Sequence, residues 1–139
     1  MNDLATARAP VWVRIVAALG LLWNLIGVYF YLVSVGTVAA PEGYDRSMAD
    51  AMPAWVTGTF AICVFGGVLG SLGLLMLKRW SVPVLVLSLL AILAQDVWLF
   101  AMRPADAPPP DMVMPLVVTL IGVVLAWLAY RASRNGWLT

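Results

Sequence analysis

The residues of this chain that could do chemistry sit where polar groups are costly. Asp96 lies in the stretch AILAQDVWLF, residues 91–100, beside Gln95 and close to Trp98 in an otherwise apolar run. A carboxylate at the centre of a membrane helix costs about 2.5–3.5 kcal/mol to insert, so it marks a functional site or a buried partner. Asn24, next to Trp23 in LLWNLIG, is a second polar side chain of this kind. Amides, a carboxylate and indoles are the ingredients of a sugar site, with paired polar groups for hydroxyls and flat apolar faces for ring carbons. The same residue types also act as interhelical clamps and interface anchors. Neighbours such as Trp23 and Asn24 point about 100° apart on a helix, so both cannot face one pocket squarely.

Three readings of Asp96 compete. In the first, Arg103, seven residues on and about 10 Å along the axis, bends inward to neutralise it. In the second, Asp96 is protonated and hydrogen-bonded to Asn24 or Thr119, joining helices. In the third, it binds a solute or relays a proton in transport.

Much other chemistry is excluded. The chain has no histidine and one cysteine, which removes His-ligated haem, Cys/His zinc, dithiol redox chemistry and His-based triads. No nucleophile–base pair points to an enzyme, and no metal or cofactor is expected. Cys63, among Ile62, Val64 and Phe65, reads as a small buried hydrophobe. The glycine-rich FGGVLGSLG at 65–73 lies inside an apolar run, the wrong context for a nucleotide. A net charge of +1 gives nucleic acid no basic footprint.

The elements that must position these residues follow from composition. The 139 residues are 63% hydrophobic and 11% charged, against about 45–50% and about 25% in soluble domains. Four apolar runs, Val11–Val33, Ala54–Leu77, Val82–Met102 and Met112–Tyr130, hold 19 to 24 residues each. About 20 helical residues cross a bilayer core, and these runs lack the alternation of a β-barrel. The expectation is an all-α, integral membrane four-helix bundle, a single domain over 1–139. The first run is too long for a signal-peptide core and reads as a retained helix. PADAPPP, 104–110, reads as a short stiff turn.

Arg8, Arg14, Lys78, Arg79, Arg131 and Arg134 fall at the two termini and the second connection. The positive-inside rule then places both termini in the cytoplasm. On that orientation Asn24, Thr59, Gln95, Asp96 and Thr119 lie roughly 9 to 14 Å below the outer helix ends, a polar layer around Asp96. Small residues mark the helix faces. Thr59, Cys63, Gly67 and Ser71 recur every four residues in the second run, with Gly66 and Gly70 beside them. Such a flank serves packing within the bundle, a homo-oligomer interface or a hinge. Similar stripes elsewhere predict a compact bundle with no wide water-filled pore.

A faint repeat links MPAWVT at 52–57 with MPLVVT at 114–119. If it is a duplication, the chain is two tandem helical hairpins with Asn24 and Asp96 as mates facing each other.

LLWNLIGVYFY and MPAWVTGTFAICVFGGVLGSLGLLMLKRWSVPVLVLSLLA resemble a family of small bacterial four-helix inner-membrane proteins labelled "sugar transporter". The matching positions are Trp23, Asn24, Gly27, Pro53, Trp55, Gly66, Gly67, Gly70, Lys78, Arg79, Trp80, Pro83 and Ser88. The resemblance implies transport and brings no site residues with it. The leading expectation is therefore a transporter of a small polar solute, a sugar among the candidates, acting as an oligomer because one protomer leaves little room. Asn24, Gln95 and Asp96 would hold the solute, with Trp23 or Trp98 stacking on it. The alternative is an accessory or scaffold subunit that docks on a larger membrane protein through the glycine flank.

Overall fold

The computed structural model describes residues 8–107 and 109–139. Residues 1–7 of the expected domain, and Pro108 of the expected stiff turn, lie outside them. Among the described residues the chain is all helical: α1 (Val11–Ser34), α2 (Ser47–Ala51), α3 (Ala54–Leu75), α4 (Ser81–Val97) and α5 (Val113–Arg134). A π-helical turn, Trp98–Met102, continues α4. The four long helices, counting α4 with its π turn, are long and apolar enough to cross a membrane. The chain is a multi-pass membrane protein. The start of α1, the C-terminal tail and the α3–α4 turn lie at one end, here the terminal end, and the longer connections at the other, the loop end.

The boundaries have local causes. Pro10 and Pro53 stand immediately before α1 and α3, and Pro83 and Pro115 fall in the first turns of α4 and α5, where a missing N–H costs nothing. The Asp111 carboxylate accepts the Val113 and Met114 N–H groups at 3.1 and 3.3 Å, capping α5 and meeting the positive end of its dipole. The second and fourth expected ranges shift slightly. α3 stops at Leu75 because Leu77 adopts φ 56°, and Lys78 N–H reaches back to Gly73 O at 2.8 Å. That closure normally uses glycine, as it does at Gly36 and Gly136 after α1 and α5. α5 runs on to Arg134 because Arg131 and Arg134 suit a helix C-terminus, though they end the apolar run.

The long helices pack as a row: α1 on α3, α3 on α4, α4 on α5. The α3–α4 contact, which lies between the two expected hairpins, is the most extensive. α1 and α5, the ends of the row, meet sparingly. Gly20 admits Leu125 there: a Cβ on Gly20 would lie 2.7 Å from Leu125 Cδ2. The main core gathers toward the terminal end, from Val13, Ala17, Leu74, Leu85, Leu125, Leu128, Ala129 and Leu138. Leu19, Leu22, Ile26, Leu69, Leu90, Leu116 and Leu120 face outward, and the bilayer covers them.

The loop end is held by polar groups. Arg46 donates to the Val33 and Ser34 carbonyls at 3.3 and 3.2 Å, filling acceptors left open at the end of α1, and lies 4.0 Å from Asp50. Asp45 accepts the Ser47 N–H at 2.9 Å, and that backbone bond holds its carboxyl below the ordinary value.

Candidate functional site

Gly66, Gly67, Gly70 and Gly73 of α3 are engaged within the chain, on two flanks. A side chain at Gly67 would collide with the Asn24 amide of α1. Gly27 of α1 in turn receives Val64, at 2.9 Å from a Cβ position. On the other flank, Cβ positions at Gly70 and Gly73 lie 2.5 Å from Leu85 Cγ and 2.8 Å from the Trp80 ring. Gly66 meets Ser88 Cβ at 3.4 Å from its own Cβ position. The buried Ser88 hydroxyl donates to Cys63 O at 2.8 Å, clasping α4 to α3. Ser71, fully buried, points its hydroxyl at no hydrogen-bond partner among the described residues. These two serines give opposite expectations. Ser88→Ala should cost about 0.6 kcal/mol, the mean for an interhelical bond in a membrane, whereas Ser71→Ala should be neutral or stabilising. Chemical unfolding in mixed micelles reads both.

Asn24 is buried, and its Nδ2 donates to Gly20 O of its own helix at 2.8 Å. It is wedged against α3 by shape. Asp96, half-buried on α4, accepts the Thr119 hydroxyl of α5 at 2.7 Å. Of the hydrogen-bond partners considered for it, Thr119 is therefore the one engaged, and the expected facing pair with Asn24 does not form that bond. Arg103 turns into the loop, where Nη1 donates to Ala107 O at 3.0 Å. Gln95 donates to Ala91 O at 3.4 Å.

Above the core, toward the loop end, the four long helices enclose a cavity of about 550 Å³. Leu85 and Leu125 form its floor, shared with the main core, and Met48, Met52 and Asp111 lie at its mouth. Trp23, Asn24, Gln95, Asp96 and Trp98 all line it. On α4 the stripe Leu85, Ser88, Ile92, Gln95, Leu99 turns one face to it at helical spacing. Asp96 and Trp98 flank that stripe, and the π turn begins at Trp98 itself. Such turns concentrate at functional sites.

Two members of the expected polar layer stand apart. Thr119 is bonded to Asp96 but is not among the lining residues, and Thr59 does not join the layer at all. The Thr59 hydroxyl donates to Val56 O at 2.7 Å on its own helix, the usual resort of a threonine within a helix. The wall is otherwise apolar, with Phe30, Phe60, Val64, Ile92, Val118 and Ile121 prominent. A second apolar groove, about 370 Å³, runs along the α1–α5 seam and shares Trp23, Ile121 and Leu125 with the cavity.

One protomer therefore has more room than its inward-facing small residues imply. Those residues draw α3 onto α1 and α4, whereas α5 leans on α4 and leaves α1. The space opens where the row fails to close into a ring. Phe60, Val118 and the α2 methionine Met48 escaped the sequence reading, since nothing distinguishes their spacing from that of lipid-facing residues. The chain matches no known protein family, curated protein or solved structure, so what the cavity takes must be read from its own wall.

Proposed function

We propose that this protein is a small inner-membrane carrier that takes a solute into the cavity between α1, α3, α4 and α5. The supporting observation is the cavity itself: about 550 Å³, lined by Asn24, Gln95 and Asp96 together with Trp23 and Trp98. Small-molecule sites occupy about 300–1,000 Å³, with mostly apolar walls and a few convergent polar groups. With both termini in the cytoplasm, as the basic residues favour, the mouth at Met48 and Asp111 opens on the outer face. The wall suits a solute with an apolar body and a polar end better than a free sugar. Polar lining is confined to Asn24, Ser88, Gln95 and Asp96 at mid-depth and Asp111 at the mouth, and Ser88 is already spent on Cys63. An accessory role through the glycine flank would require prising α3 from α1 and α4.

Val118→Trp tests this reading, because an added indole at that half-buried wall position fills the cavity from α5. Native mass spectrometry of protein extracted gently from its own membrane should show a small-molecule adduct on the wild type and none on the variant. Melting temperatures of the two should agree within a few degrees. A wild-type protein that always emerges bare, or an adduct indifferent to Val118→Trp, would sink the proposal.

A further inference from the structure

The sign of the cavity's charge points to its ligand. Among the described lining residues are two carboxylates, Asp96 and Asp111, and no lysine, arginine or histidine. Asp111 is already committed to the Val113 and Met114 N–H groups at the start of α5. Asp96 is the acid held deeper, with the Thr119 hydroxyl on Oδ2 as its hydrogen-bond donor. Aromatic residues line the same cavity: Trp23, Phe30, Phe60 and Trp98. Aromatic faces attract cations and repel anions through the ring quadrupole, and a carboxylate in surroundings of low dielectric does so more strongly. The apolar groove on the α1–α5 seam meets the cavity at Trp23, Ile121 and Leu125, giving a hydrocarbon body a path from the bilayer.

We propose that the cavity binds an amphipathic organic cation, its positive centre at Asp96 and its apolar body against the aromatic wall. This rests on the carrier reading and specifies the solute. The wall offers such a molecule a counter-charge at Asp96, a second carboxylate at the mouth, apolar contact over most of the rest and no lysine or arginine among its described lining residues. An anion of the same shape meets Asp96 as a like charge, and a free sugar leaves most of the wall unused.

A pair of ions that differ in little but charge separates the possibilities. Tetraphenylphosphonium and tetraphenylborate are titrated into purified protein in nanodiscs of neutral lipid, with Trp fluorescence and equilibrium dialysis as readouts. Octyl glucoside below its micellar concentration serves as a neutral amphiphile. The phosphonium should bind and the borate should not. Asp96→Asn keeps an acceptor for Thr119 and so preserves the fold, yet should raise the phosphonium Kd by about tenfold or more. Asp96→Glu should restore most of the affinity, and Val118→Trp should abolish binding. Equal binding of both ions, or an Asp96→Asn Kd equal to wild type, overturns the cationic ligand. Binding of the glucoside alone, lost in Val118→Trp, overturns the cationic ligand but leaves the carrier standing. If no probe binds in a Val118-dependent manner, both fall.

Discussion

Gly67→Ala should destabilise the protein by about 1–3 kcal/mol, the usual range for forcing extra atoms into a packed site. The Asn24 amide lies against the bare Cα of Gly67, where any Cβ would collide with it. Asn24 has little freedom to retreat: it is buried and its Nδ2 is tied to Gly20 O. Relief must come from pushing α1 off α3 or from turning the amide out of its bond. The double variant Asn24→Ala/Gly67→Ala should recover most of the loss, because the second change removes what the first collides with. Asn24→Ala alone should cost little, since its hydrogen bond stays within α1. Denaturation in mixed micelles across all four proteins gives the coupling energy. Additive losses would show that the two positions do not touch.

Leu138→Ala should cost about 2–5 kcal/mol, as deletion of a buried leucine does, although position 138 lies beyond every apolar run. Leu138 is 2% exposed and belongs to the core with Val13, Leu74 and Leu128. Its segment is stitched to the α3–α4 turn by backbone bonds, Arg79 N–H to Thr139 O at 3.0 Å and Thr139 N–H to Leu77 O at 2.8 Å. Arg79 Nε adds a bond to Leu138 O at 3.2 Å, and Trp137 meets Trp12 edge-on at 6.5 Å. Thermal unfolding, with amide exchange at Arg79 and Thr139 as a local probe, reads the effect. A loss below about 0.5 kcal/mol would place Leu138 among ordinary surface positions and the tail outside the folded unit.

The spanning helices were legible because length and apolarity are one-dimensional properties, and a bilayer imposes them run by run. That Asn24, Gln95 and Asp96, all lining one cavity, belong in the interior was legible too. The cavity was not. It depends on α5 leaning toward α4 rather than α1, where Gly122 admits Ile92. Rotation about a helix axis and choice of neighbour leave only weak traces in a chain whose exposed faces are as apolar as its core. Leu77 and Leu138 misled for a related reason: a leucine in an αL turn or a tail looks no different in sequence from one facing lipid. Thr59 read as part of the polar layer from counting alone, but its hydroxyl had a nearer carbonyl.

The seams of the bundle are not fastened alike. Ser88 to Cys63 O joins α4 to α3, and Thr119 to Asp96 joins α5 to α4. Between α1 and α3, among the described residues, there is shape alone: Asn24 on Gly67, Val64 on Gly27, and Tyr31 edge-on to Phe60 and Phe65 at 5.5 and 5.7 Å. Swinging α1 away thus breaks no side-chain hydrogen bond between the two long helices, whereas parting either other seam breaks one. Under mechanical load from the α1 side, the protein yields first as a door does, with α1 leaving edges that are fitted but not latched.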